Sequence, residues 1–425
     1  MSKRSAACPA APQANGASED GIWPLVAREV ADDLAVDALL RDRAGKPPFD
    51  EIQRVREAGL PALLMPPGSP WGTDLRTACA VIREIAAADS SIGELLGRHY
   101  ALSWSARFFG TPERAAALEL RAAEEQWLWG GDTGVPGTEA DTGTETGPEL
   151  TLTPTSDGYL LNGRRAFSAG VAVADRLVLG AVCTETGESL MVLVDPDHPG
   201  VTADPSHDRL GQRLTGAGSI GFDGVPVSSP DQVLGAVPRD EHDVSPFAAL
   251  APLALRLALV HVGLGIAEGA LAEARDFSRA APRSWPRSGP DSGTYEGLPD
   301  GDPYLLLAYG ELVAAAHTAA AVVEPATEAL ARGLVAGREL GVEARADIAV
   351  LVAAAEAVTS RSAMRITTRI LELTDGADSP ADGPGFDRFW RNARVLTAQG
   401  SPTHRLRDIG DHFLNGTHPP LTLHI

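Results

Sequence analysis

The residues able to do chemistry are few and widely spaced. Arg283-Ser-Trp285-Pro-Arg287 places two guanidinium groups beside an indole in an acidic chain. Guanidinium forks bind phosphate and stack on aromatic rings, so the string suits a phosphorylated ligand or a linker packed on a neighbouring subunit. His99, in Leu95-Leu-Gly-Arg-His-Tyr100, follows an apolar helical run and precedes Trp104. It reads as a buried structural histidine or as a proton-carrying one. Ser168 follows Phe167 at a strand end without a surrounding GxSxG, which favours a turn residue over a nucleophile. Tyr295-Glu296-Gly297 sets a carboxylate in a Pro/Gly-rich stretch, where a solvated glutamate is expected. Gly263-Leu-Gly-Ile-Ala-Glu-Gly269 imitates a dinucleotide fingerprint, but no strand precedes it, so close helix packing is the expectation. The 10 histidines show no HExxH and no spacing with cysteine that would hold a metal. His412 and His418 are expected at the surface or at a helix end, and His261 and His317 as satisfied core histidines.

Composition excludes further classes. The chain has 425 residues, 44% of them hydrophobic and 22% charged, enough for a large buried core and too apolar for global disorder. A net charge of −21 repels nucleic-acid phosphates and anionic headgroups, so no nucleic-acid partner is expected. Cys8, Cys79 and Cys183 form no disulfide framework, which points to a reducing, cytoplasmic setting. Lys3 and Lys46 are the only lysines, and neither is placed for a Schiff base or a P-loop. No run of eighteen apolar residues occurs, so no membrane span is expected. Residues 1–20 read as a flexible leader rather than a signal peptide.

Three textures position these residues. Residues 21–127 are helical, with Leu75, Cys79, Ile82 and Ile85 on one stripe and a helix start at Pro112. Residues 128–240 alternate short apolar strands with turns, including a hairpin at Ser156-Asp157-Gly158, and predict a small β-barrel or sandwich. From 241 to 425 the chain returns to long Ala/Leu/Val-rich helices at 247–279, 302–334, 342–373 and 388–396, predicting a four-helix bundle. The α+β order is helical domain, β domain, helical bundle, with a cleft where the layers meet.

Several strings in this order resemble the acyl-CoA dehydrogenase fold, in the branch of flavin-dependent monooxygenases typified by dibenzothiophene monooxygenase. They are Gly158-Tyr-Leu-Leu-Asn-Gly163, Phe167-Ser-Ala-Gly170, Val225-Pro-Val with Val233-Leu-Gly235, Leu264-Gly-Ile-Ala-Glu-Gly-Ala-Leu271, Asp302-Pro-Tyr and Tyr309-Gly-Glu311. The strongest are Gly385-Phe-Asp-Arg-Phe-Trp-Arg-Asn-Ala-Arg394 and Arg407-Asp-Ile-Gly with Leu414-Asn-Gly416. The resemblance spans the chain after the leader. It implies a homotetramer and a flavin, FMN or FAD, between the β domain and the bundle. The ring would meet Trp129, Gly131, Asp132 and Thr133, and Phe167, Ser168 and Ala169. Arg283, with Trp285 beside it, matches a phosphate contact across the subunit interface, and Gly376-Ala377 the turn near the dinucleotide end in FAD-binding relatives.

The implied activity is that of a two-component monooxygenase. Reduced flavin from a separate reductase forms a C4a-hydroperoxide with O2, and one oxygen enters a small metabolite with a nucleophilic N, S or aromatic C. His99 or Tyr100 matches the branch's N-terminal histidine. Gln399 stands where the branch has a loop histidine, and Ala169 where it has a hydroxyl. Gly400 stands where many dehydrogenases carry the base glutamate. An FAD-dependent acyl-CoA dehydrogenase is the alternative reading, and a non-catalytic flavin-binding paralogue the second.

Overall fold

Local signals in the sequence start the helices. Thr111 and Asp74 stand at N-caps, with Pro112 in the first turn of one helix and the Asp74 carboxylate accepting from Thr77 N at 2.9 Å in the other. The computed structural model describes residues 21–64, 72–132, 150–205, 209–238, 243–280, 302–374, 384–398 and 402–423. Seven helices come first: α1 (Trp23–Ala35), α2 (Ala38–Ala44), α3 (Phe49–Glu57), α4 (Leu75–Ala88), α5 (Ser90–Ser103), α6 (Ser105–Phe109) and α7 (Pro112–Glu124). Strands β1 (Trp129–Asp132), β2 (Thr151–Thr155), β3 (Gly158–Phe167), β4 (Arg176–Cys183), β5 (Ser189–Val194), β6 (Val201–Pro205), β7 (Gly218–Val227) and β8 (Val233–Val237) follow. The chain then forms α8 (Ala251–Ala280), α9 (Pro303–Ala336), α10 (Val342–Leu373), α11 (Asp387–Thr397) and α12 (Pro402–Asn415). The expected four C-terminal helices are thus joined by a fifth, α12.

The expected β-barrel is corrected to an open sheet. Its strand order is β6-β7-β3-β2-β4-β5-β8, and β1 pairs with β4 outside that path. No pairing joins β6 to β8 among the described residues. The β8 end cannot accept another strand at Gly235, because a Cβ there would stand 2.0 Å from Phe109 O of α6. Covering an edge with a helix removes the need to close the sheet. The hairpin joining β2 and β3 falls where the Asp157-Gly158 turn predicts it, with Thr155 opposite Gly158.

The core between the helical regions is built on small residues. A Cβ at Gly265 would stand 2.5 Å from Arg83 O, and one at Gly269 2.0 Å from Ala87 O. The glycine string is therefore the seam where α4 lies against α8, as the helix-packing reading expects. Two helical stretches, Ala248–Ala280 and Pro303–Glu339, are long and apolar enough to cross a membrane, although neither holds an unbroken apolar run. The most apolar 18-residue window of the first is 89% buried within the fold, which makes it a core helix, whereas that of the second is 28% buried. His317 lies on that second helix and is exposed, correcting the expectation of a core histidine. His261 is a core histidine, its Nε2 bonded to Thr327 Oγ1 at 2.9 Å, but its buried Nδ1 has no partner among the described residues, so it is only half satisfied.

Candidate active site

Helix α5 carries His99 and Tyr100 into the middle of the molecule. Asp89 caps it, accepting from Ser91 N at 3.1 Å and Ile92 N at 3.4 Å. Twelve of its fourteen residues are buried, so its polar tips must find partners inside. They find backbone. His99 Nδ1 accepts from Trp129 N–H at 2.9 Å, and Nε2–H donates to Pro61 O at 2.8 Å. Tyr100 OH donates to Leu60 O at 2.8 Å and Trp104 Nε1–H to Leu64 O at 3.3 Å. These contacts fix the His99 tautomer with its proton on Nε2. Burial lowers its pKa to about 4, the Pro61 carbonyl opposing that and Arg56 adding to it. The ring is neutral and both its nitrogens are spent on the fold. Tyr100 is likewise held as a phenol, burial being the main cause.

The strand that His99 holds forms one wall of a slot. β1 and β2 both pair with β4 in parallel, β1 opposite Arg176–Leu179 and β2 opposite Val182–Cys183. β2 occupies one face of β3 only as far as Asn162, and β7 pairs with the other face through Phe167. The second half of β3 therefore faces β1, and among the described residues no ladder joins them. Arg165 on β3 reaches Asp132 on β1 at 3.4 Å. Gly131 has φ +105, and a Cβ there would stand 2.1 Å from Val178 O, so only glycine lets β1 lie this way against β4. At the slot's end the turn after β3 comes close, since a Cβ at Gly170 would stand 3.3 Å from Gly130 Cα. Trp129, Gly131 and Asp132 thus lie together with Phe167, Ser168 and Ala169. Thr133, Arg283, Trp285, Gly376, Ala377 and Gln399 lie outside the described residues.

A segment that the sequence reading overlooked braces this site. Arg209 Nη1 donates to Ser168 O at 3.0 Å and to Thr215 Oγ1 at 2.8 Å. Gln212 is fully buried with φ 51; its side-chain oxygen accepts from Ser90 Oγ at 3.2 Å and Ser91 Oγ at 3.1 Å. Its backbone N–H donates to Asn392 Oδ1 of α11 at 2.7 Å. Residues 209–215 therefore join the β3 turn, α5 and α11. Polar residues between Gly211 and Gly216 were the available signal. Gln212 Nε2 and Trp129 Nε1 are buried donors that find no partner within the described residues.

Other reactive groups are quiet. Cys79 lines a narrow apolar cavity with Tyr100, Trp104 and Ala258, and burial pushes its thiol pKa up, away from the thiolate. No cluster of three or more metal-ligating residues occurs among the described residues.

No family profile matches the chain. Dibenzothiophene monooxygenase of Rhodococcus qingshengii is 34% identical over 406 residues, covering 93% of each protein. The chain belongs to the flavin-dependent monooxygenases typified by dibenzothiophene monooxygenase. A probable FMNH2-dependent monooxygenase, SfnC of Pseudomonas putida, is 30% identical over 93% of this member and 95% of its own length. The crystal structure of TdsC from Paenibacillus sp. A11-2 with FMN and indole superposes on 95% of this chain with a TM-score of 0.84 and 31% identity. Butyryl-CoA dehydrogenase of Megasphaera elsdenii, at 20% identity and a TM-score of 0.74, shares the fold. This family member is therefore a flavin-dependent oxidoreductase on the acyl-CoA dehydrogenase fold.

Proposed function

We propose that the enzyme takes reduced FMN from a separate reductase and inserts one oxygen of O2 into a small metabolite through a nucleophilic sulfur, nitrogen or aromatic carbon. The observation that carries this reading is similarity to dibenzothiophene monooxygenase along 93% of both chains. The flavin ring would be held between β1 and the turn after β3, by Trp129, Gly131, Asp132, Phe167, Ser168 and Ala169, with Thr133 the next residue of the sequence in the same set. Support comes from the unladdered slot there. Bound reduced flavin supplies the activation of O2.

The protein's own part is to exclude water, to orient the substrate and to hold protons at fixed atoms. His99 acts here as a positioning residue: it holds Trp129 N–H, and so the start of β1, through Nδ1. Tyr100 fixes Leu60 in the same way. Gln399 and Gly400 supply no carboxylate and no imidazole, so abstraction of a proton from an acyl thioester lacks a base at that place. Arg283, with Trp285, would take the flavin phosphate, and Gly376-Ala377 would serve the dinucleotide end if the cofactor were FAD. A homotetramer is supported by the exposed Leu306, Leu307 and Val313 on α9, an apolar face suited to another copy of the chain. Cysteine usage supports a cytoplasmic setting.

The test combines the purified protein, FMN, a flavin reductase and a panel of thioethers, sulfinates, amines and indoles under ¹⁸O2. Incorporation of one labelled oxygen into a substrate is the expected result. Rapid anaerobic bleaching of bound flavin by butyryl-CoA, without oxygenation, would establish a dehydrogenase instead. Arg283→Ala should weaken FMN binding about tenfold to a hundredfold, the worth of a charge-assisted phosphate contact. An unchanged flavin titration would remove Arg283 from the site.

A further inference from the structure

The turn after β3 is held by one charged side chain. Arg209 Nη1 donates to Ser168 O at 3.0 Å and to Thr215 Oγ1 at 2.8 Å. Thr215 is fully buried, and its single hydroxyl proton has a closer acceptor in Gln212 O, at 2.9 Å, than in Ser168 O, at 3.2 Å. Arg209 is therefore the chief donor to the Ser168 carbonyl. Among the described residues no carboxylate comes within ion-pair distance of Arg209; Glu94 and Arg98, the charged groups that act on it, pair with each other at 2.8 Å. Burial lowers the Arg209 pKa, with Glu94 opposing the shift and Arg98 adding to it, but a guanidinium stays charged at neutral pH.

The peptide that accepts this bond joins Ser168 to Ala169. It is trans, so its carbonyl and the Ala169 N–H point in opposite directions. The carbonyl faces the 209–215 segment, and the amide faces away from it. Ala169 is 5% exposed, and its N–H has no partner among the described residues. The next two amides are spent on the brace, Gly170 N donating to Thr215 O at 2.8 Å and Val171 N to Gly216 O at 2.9 Å. A cation on a peptide oxygen polarises the peptide and strengthens its N–H as a donor. We infer that Arg209 is a positioning residue that sets the direction and polarity of this peptide, and that its charge makes the turn favour reduced over oxidised flavin. This rests on the flavin reading, which places the ring against Ser168 and Ala169. Reduced flavin is the more electron-rich form, and a fixed positive field selects it without contact between Arg209 and the ring.

The test is anaerobic titration of the full chain with FMN and with dithionite-reduced FMN, the ratio of the two Kd values being the readout. Arg209→Gln removes the charge and keeps a neutral donor, whereas Arg209→Lys keeps the charge. The amide anchors at Gly170 and Val171 remain in both, so the turn stays docked. The preference for reduced FMN should fall about threefold to tenfold in Arg209→Gln and stay within about twofold of the parent in Arg209→Lys. Thermal melts identify a variant that fails to fold, and Arg209→Met takes the place of Arg209→Gln if that one does. Equal weakening of both redox forms in the neutral variant is the mark of a brace alone and would overturn the inference, as would an unchanged Kd for each. A lysine variant that loses the preference as fully as the neutral one would overturn charge as its cause. If the unmodified protein binds neither form, the flavin reading fails and takes this inference with it; binding whose ratio ignores Arg209 overturns the inference alone.

Discussion

His99 shows how a residue type suited to catalysis becomes part of the frame. Its ring joins three distant pieces of backbone: α5, Pro61 and the first residue of β1. Burial holds it neutral down to about pH 4, whereas an unperturbed histidine titrates near 6.5. The unfolded chain therefore binds this proton first as the pH falls. Stability that is whole above about pH 6.5 is lost as the pH drops through about 4, by on the order of 3 kcal/mol in total. His261, lowered to about 3 by burial and by Arg83, adds a loss of the same sign. His99→Gln cannot titrate in that range, so its urea midpoint should fall less steeply between about pH 7 and pH 4.5, from a lower starting value. A slope equal to that of the parent protein would show that His99 does not carry the linkage.

Helices and strands were legible to the extent that their signals are local. Pro112, Asp74 and the Asp157-Gly158 turn each act within a few residues, and each element begins where they stand. The openness of the sheet was not legible, because it depends on α6 covering β8 at Gly235. Gln212 was invisible for the same reason: Ser90, Ser91 and Asn392 reach it from far away in sequence. His99 and Tyr100 were conspicuous as types, but their roles are set by carbonyls at Leu60 and Pro61 that no pattern advertises. The glycines of α8 belong to the legible part, and their packing gives a sharp test. Gly269→Val would drive a side chain into Ala87 O, forcing α4 and α8 apart. The expected cost is about 3 kcal/mol, read from the urea midpoint at constant m-value. A change below about 0.5 kcal/mol would mean that the seam is looser than its geometry implies.

Across the whole molecule the long helices divide their labour. α8 is buried along most of its length, whereas α9 presents Leu306 and Leu307, 55% and 63% exposed, to the outside. If that face joins copies of the chain, replacing both leucines by glutamate should yield smaller species in sedimentation velocity with an unchanged far-ultraviolet circular dichroism spectrum. Persistence of the parent assembly would place the interface elsewhere. The brace at 209–215 has a different kind of consequence. It belongs by sequence to the β region, yet its amides are held by the helices: Gln212 N by Asn392, and Leu214 N by Ser91 Oγ at 3.4 Å. The sheet cannot melt alone without also tearing the start of α5 and α11 from their partners. The three regions should therefore unfold as one cooperative unit. The amide hydrogens of Gln212 and Leu214 should exchange with solvent only through global opening, at the same free energy as the slowest amides of α8.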